Sequence, residues 1–321
     1  MLDKEMIIGI DIGGTAVKLG LFTISGELNA EWSIPTDLKN DGENIIPQIA
    51  SSIKEKLNKS NLTLSQIKGI GVGVPGPVNS DGIVPLCVNL GWVHKKVAKE
   101  FEKLCCANVI IANDANVAGL GELWKGSASG YDNVVFITLG TGIGGAIICD
   151  QKIATGKNGI SGEIGHLTVN PFEKKMCNCG RYGCLEQYAS ATGLVKRVES
   201  LLITENSESI LTNLSNITAK DVVDAAKLND AVAMIALDEV TEKLGFALAN
   251  ISCVIDPEMF IIGGGMSEAG SFLIDKITKN YKKYAFSSSK ETPIRKSLLG
   301  NKAGIYGAAM LVKQSLMRYY I

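Results

Sequence analysis

Three glycine-rich stretches hold the residues of this sequence best suited to binding phosphate. Asp11-Ile12-Gly13-Gly14-Thr15 interrupts an apolar run, Gly140-Thr141-Gly142-Ile143-Gly144-Gly145 interrupts another, and Gly263-Gly264-Gly265 closes a third. Glycine has no Cβ, so the backbone N–H groups of such turns can approach phosphate oxygens closely. Gly140, Gly142 and Gly145 also satisfy GxGxxG, but the dinucleotide fingerprint requires a helix next, and Ala146-Ile147-Ile148-Cys149 reads as a strand. GxxxxGK[ST] is absent, which excludes a Walker-type loop. A single turn of this kind is equally well explained as a plain hairpin; two similar turns and a triple glycine favour a nucleotide phosphate cradle. Asp11 beside the first turn suits a hydrated Mg²⁺, which needs only one or two carboxylates besides the nucleotide phosphates, or else it caps the turn. Lys18, on the following run, either neutralises phosphate or is a solvated strand residue.

A second constellation is made of thiols. His166, Cys177, Cys179 and Cys184 fall within nineteen residues, and Cys₃His is a donor set for closed, tetrahedral structural zinc. The Cys-x-Cys gap is tighter than usual, but the surrounding stretch is polar and glycine-rich, whereas a cysteine acting as a small hydrophobe should sit among apolar neighbours. Cys87, Cys149 and Cys253 have such neighbours and read as core; Cys105 and Cys106 adjoin a helix end. The redox motif Cys-x-x-Cys does not occur. Asn113-Asp114-Ala115-Asn116 follows a strand, where α/β folds tend to place ligand-contacting side chains. Taken alone, that tetrapeptide reads as an N-cap aspartate before a helix over 115–123.

Strands and helices alternate around these residues. Strands are expected at 6–12, 17–23, 67–74, 108–112, 134–139, 146–149 and 259–262, and helices at 41–60, 93–107, 230–252 and 304–317. Thr218-Ala219-Lys220-Asp221 reads as a capping box after a polar loop over 203–217. The strand, glycine turn and strand of 6–23 recurs near 134–149, which signals an internal duplication, and the alternation implies an α/β fold. With 321 residues, two domains are expected: 1–116 completed by a C-terminal helix at about 304–321, and 117–303 carrying the thiol cluster. The 32 basic and 33 acidic residues leave a net charge of −1, which disfavours nucleic acid as a partner. No apolar stretch is long enough for a membrane span, and the acids of Met1-Leu2-Asp3-Lys4-Glu5 do not suit a secretory signal. A cytoplasmic protein with reduced cysteines is expected.

The two glycine turns together resemble the phosphate-binding pair of the sugar kinase, hsp70 and actin superfamily. Gly162-Glu163-Ile164-Gly165-His166 with Cys177-x-Cys179-Gly180-x-x-Gly183-Cys184-Leu185-Glu186 resembles the zinc signature of the ROK family of sugar kinases and repressors. The resemblance runs over essentially the whole chain and is similar to the Gram-positive-type glucokinases of that family; Ser161 departs where relatives often carry Gly or Ala. It implies a two-domain, actin-like ATPase and ribonuclease H-like (hexokinase-like) fold with a duplicated core and a cleft between domains, and a homodimer or homotetramer. It also implies transfer of the ATP γ-phosphoryl group to the 6-hydroxyl of glucose, the entry step of glycolysis, with Asp114 as general base.

On the same resemblance, Asp11, Gly13, Gly14, Thr15, Lys18, Thr141, Gly142, Gly144 and Gly263 to Gly265 hold ATP with Mg²⁺. Gly76, Asn89, Asn113, Asp114, Glu163, His166 and Glu186 hold the sugar, and His166, Cys177, Cys179 and Cys184 hold zinc. Another hexose (fructose, mannose or N-acetylmannosamine) is the alternative substrate, and a non-catalytic sugar-sensing regulator the alternative function. Repressors of the family carry an N-terminal helix-turn-helix extension, for which a first strand at residue 6 leaves no room.

Overall fold

A computed structural model of the chain describes residues 5–79, 81–204 and 208–318. The N-terminal tetrapeptide, residues 205–207 of the expected polar loop and the last three residues of the expected terminal helix lie outside them. Contacts divide the chain into two units, the first comprising 1–130, 151–161 and 301–321, the second 131–150 and 162–300.

In the first unit, β1 (Met6–Ile12) and β2 (Ala16–Thr23) form a hairpin around the first glycine turn, and β3 (Leu28–Pro35) pairs antiparallel with β2. The β1 side chains are buried almost throughout, as in a strand covered on both faces, whereas β3 alternates half-buried with exposed, the period-2 pattern of an edge strand. Helix α1 (Ile45–Lys59) buries Ile45, Ile46, Ile49, Ile53 and Leu57, its helical stripe. Strand β4 (Ile67–Val74) runs parallel to β1. A small hairpin of β5 (Val84–Cys87) and β6 (Trp92–Lys95) leads through α2 (Val97–Cys105) to β7 (Val109–Asn113), parallel to β4, and to α3 (Asp114–Lys125). The sheet order is β3-β2-β1-β4-β7.

Two expectations are revised here. Residues 92–95 form a strand rather than the start of a helix, because Trp92 and Val93 pair with Cys87 and Leu86 and the buried Trp92 indole donates from Nε1 to Gly42 O at 3.2 Å. A boundary at 116 falls inside α3, which the contacts assign wholly to the first unit. The reason lies in its packing: the C-terminal helix Ala303–Arg318 lies on β1, β4 and α3, and a Cβ on Gly307 would overlap the carbonyl oxygen of Val117 in α3.

The second unit opens with β8 (Val134–Leu139) and β9 (Ile143–Cys149), an antiparallel hairpin around the second glycine turn; a two-residue strand, β10 (Lys152–Ile153), follows in the segment belonging to the first unit. Then come α4 (Leu185–Ala189), α5 (Ala191–Thr204) and α6 (Ala219–Lys227), the last opened by the expected Thr218–Asp221 capping box. The long α7 (Ala231–Ile255), β11 (Met259–Gly263), α8 (Ser271–Tyr284) and β12 (Ile294–Lys296) complete it. Strand β8 is antiparallel to β9 and parallel to β11, which is parallel to β12. This repeats the pairing of β1 with β2 and of β1, β4 and β7, so the duplication read from two turns extends to the sheets. Cys253, expected in the core, is exposed: the helical period buries Ile251 and Ser252 of α7 and turns Cys253 and Val254 outward. Cys149 is half-buried, and Cys87 and Cys105 are buried.

Candidate active site

The first unit presents two carboxylates at the ends of β1 and β7, the strands on either side of β4. Asp11 is the penultimate residue of β1, registered against Lys18 on β2 and Gly73 on β4. Asp114 opens α3 directly after β7. A Cβ built on Gly73 would lie 3.7 Å from Asp11 Oδ1 and 3.7 Å from the Asp114 Cα, so the bare glycine separates the two acids. Room for Asp11 on its other side comes from Gly304, where a Cβ would stand 2.5 Å from its Oδ2. Burial pushes the Asp11 carboxyl up from its ordinary range, against the opposing pull of the Lys18 ammonium. The Lys18 ammonium, which has three N–H donors, gives one of them to Asn301 O at 3.1 Å.

The cap of α3 is Asn113, not Asp114. The Asn113 side-chain oxygen accepts from the N–H groups of Ala115 (2.9 Å) and Asn116 (3.2 Å). Its amide donates to Gly76 O (3.1 Å) and Asp114 Oδ1 (2.9 Å), and Ala115 N also donates to Asp114 Oδ1 (2.8 Å). One oxygen of Asp114 is therefore held by two donors, and Asn113 ties it to Gly76, which adopts a left-handed φ of 91°. Asn89 lies in the short turn between β5 and β6 and is exposed.

The second unit carries the second turn and the glycine triplet. Gly140 N donates to Gly142 O at 3.0 Å, and Gly140 O accepts from Ala191 N at the start of α5 at 2.9 Å. Gly264 has φ 81° and presses on Leu139, the last residue of β8; a side chain there would collide with backbone, so the triplet abuts the second turn. A cavity of about 900 Å³ opens beside it, lined among others by Thr141, Gly142, Cys177, Glu186 and Lys196. Lys196, exposed on α5, also lines a second recess with Thr141; only its position on the folded helix reveals it as a cation beside this turn.

The thiol cluster is built by a hairpin-like loop. Cys177 N donates to Arg181 O (2.7 Å), Gly180 N to Cys177 O (2.9 Å), and Leu185 N to Leu167 O (2.8 Å), which brings the segment before α4 back onto 166–169. His166 Nδ1 lies 3.9 Å from Cys177 Sγ, Cys179 Sγ lies 3.6 Å from Cys184 Sγ, and one donor atom from each of the four residues lies within 4.8 Å of all the others. A tetrahedral zinc with sulfur at about 2.3 Å and nitrogen at about 2.0 Å sets donor spacings of roughly 3.5 to 3.8 Å, so the four residues fit that ion. Burial, reinforced by the Glu186 carboxylate and the neighbouring thiols, pushes Cys177 up to about 12; such a thiol becomes a thiolate when a cation neutralises the cluster.

Glu186, at the start of α4, stands between this cluster and the second turn. Its Oε1 is 3.1 Å from Cys177 Sγ and 3.6 Å from His166 Nδ1, while Oε2 would be 2.7 Å from a Cβ on Gly142. His166 Nε2 faces the exposed Glu163 at 4.0 Å. Glu163, His166 and Glu186 are thus brought together within one unit. Thr36, which no motif singles out, bonds the first glycine turn directly.

The profile described as the ROK family matches residues 7–315. The chain is 41% identical over 319 residues to a glucokinase of Halalkalibacterium halodurans, covering 98% of this chain and 96% of that protein. It is 30% identical to a xylose repressor of Caldicellulosiruptor bescii, covering 99% of this chain and 80% of the repressor. A ROK glucokinase of Streptomyces griseus, solved with glucose and AMPPNP, superimposes with a TM-score of 0.79 at 32% identity, covering 96% of this chain and 99% of that one.

Proposed function

The chain belongs to the ROK family, and from that premise we propose that it transfers the γ-phosphoryl group of ATP to the 6-hydroxyl of glucose. Its fold is the actin-like, hexokinase-like one. The observation that carries the mechanism is the tethered carboxylate of Asp114. A sugar hydroxyl is a poor nucleophile, and a positioned carboxylate that takes its proton accelerates the transfer by about 10² to 10⁴-fold. Positioning is what Asn113 and the Ala115 N–H provide, by holding Oδ1 from two sides.

In this reading the N–H groups of the Gly13–Thr15 and Gly140–Gly142 turns, with Gly144 and Gly263 to Gly265, receive the nucleotide. Mg²⁺ bound with the nucleotide would neutralise the charge that develops on the phosphoryl oxygens. Asp11 is the residue that would face it, and a cation there favours the ionised form that burial opposes. The sugar hydroxyls would donate to the carboxylates of Asp114, Glu163 and Glu186 and exchange hydrogen bonds with Gly76, Asn89, Asn113 and His166. His166, Cys177, Cys179 and Cys184 would hold Zn²⁺ as a structural ion, with Nδ1 turned to the thiols and Nε2 left for Glu163 or sugar.

The test is direct. Purified protein converts ATP and glucose to ADP and glucose 6-phosphate, with kcat/KM higher for glucose than for fructose, mannose or N-acetylmannosamine. Asp114→Asn keeps its melting temperature and glucose affinity while kcat falls by about 10² to 10⁴-fold. Near-normal turnover in that variant rejects Asp114 as the base. Intact glucose binding without ATP turnover in the natural protein points instead to a sugar-sensing regulator.

A further inference from the structure

The first glycine turn is gripped from outside by one residue. The Thr36 hydroxyl donates to Gly13 O at 2.6 Å and the Thr36 backbone N–H donates to Thr15 O at 3.0 Å. Gly13 N closes the turn on Ala16 O at 3.0 Å. Both carbonyls flanking Gly14 are thereby committed, one on each side. The chain contains no cis peptide among its described residues, and in a trans peptide C=O and N–H point in opposite directions. Fixing Gly13 O toward Thr36 therefore aims the Gly14 N–H away from it. Neither Gly14 N–H nor Thr15 N–H meets an acceptor among the described residues, and a Cβ on Gly14 would find no atom within 4 Å. The Gly14 N–H is thus aimed away from Thr36, and the Gly13 and Thr15 carbonyl oxygens, which would repel a phosphate, are engaged by Thr36.

Thr36 is itself held. It follows β3, whose last residue Pro35 is registered with Ala16 of β2. It precedes Asp37, whose carboxylate accepts from Lys39 N (3.1 Å), Gln48 Nε2 (3.2 Å) and Asn44 Nδ2 (3.5 Å), tying the segment to the start of α1. We infer that Thr36 is a positioning residue for the nucleotide: it presets the Gly13–Thr15 turn as a phosphate cradle, with the edge strand and α1 as its anchor. The inference rests on the phosphoryl-transfer reading, but its readout does not require turnover.

The experiment measures the dissociation constants of Mg²⁺-ADP and of glucose by calorimetry on the full chain. Thr36→Val removes the donor at nearly constant shape, Thr36→Ala removes it without the branched side chain, and Thr36→Ser keeps it. Loss of one such hydrogen bond weakens nucleotide binding by about 3 to 10-fold in Val and Ala, leaves the glucose constant within about twofold, and is reversed in Ser. The inference is overturned when Val and Ala both bind nucleotide within twofold of the natural protein, or when the glucose constant moves as far as the nucleotide one, the mark of a merely structural residue. A natural protein that binds Mg²⁺-ADP but never phosphorylates glucose defeats the catalytic reading and leaves the positioning result standing on its own measurement.

Discussion

At Asp11, burial and function pull against each other. The folded protein holds the Asp11 proton more tightly than the unfolded chain does, because burial disfavours the carboxylate. Stability contributed by this group is therefore present at low pH and is lost as pH rises from the ordinary carboxylate value of about 3.9 through the raised folded value. Above both, ionised Asp11 is a net cost to folding, one that the proposed role of facing the nucleotide's cation would account for. Asp11→Asn removes the cost. The variant should resist urea better than the natural protein at pH 7, with the difference shrinking toward zero near about pH 3, while ATP turnover falls. A variant less stable than the natural protein at pH 7 would reject this account.

Between elements, the thiol loop and the hairpins do the positioning. The segment from Cys177 to Cys184 is closed by a few backbone bonds and two left-handed glycines, Gly180 at φ 83° and Gly183 at φ 71°, with little core of its own. An ion shared by its three thiols and His166 would then supply most of its order, since zinc binding in small structural sites is worth about 10 to 16 kcal/mol. Chelation should disorder residues 163–186, seen as accelerated amide exchange there, and abolish glucose binding. Elemental analysis should give about one zinc per chain, and less than one per two chains would count against the site. The glycine turns tell a complementary story. Their identity was legible from strand, turn and strand patterning, including the rejection of a dinucleotide motif, because local β-branched runs predict strands well. The edge strand β3 went unread: half its residues are exposed and polar, so its place depends on pairing with β2 rather than on its own hydrophobicity.

For the molecule as a whole, the two sheets repeat one pairing scheme, and the C-terminal helix completes the first unit from the far end of the chain. That helix seats through glycine: Gly71 of β4 opposes the carbonyl oxygen of Ala308, and Gly307 that of Val117. Gly307→Ala forces backbone apart and should destabilise the first unit by about 1 to 3 kcal/mol or more, read as a lower denaturation midpoint; an unchanged midpoint would show that the helix is not so closely seated. The residues proposed to do chemistry, their spacing, the α/β class and the duplication were set by the sequence alone, because turn glycines, thiol spacing and apolar periodicity are local properties of the chain. Other features were decided only by tertiary structure: Asp11 and Asp114 both lying beside Gly73, Glu186 bridging the thiols and Gly142, Thr36 gripping the first turn, and Cys253 turned outward. Each depends on strand register or helix phase between residues far apart in the chain, and those are fixed by the packing of whole elements against one another.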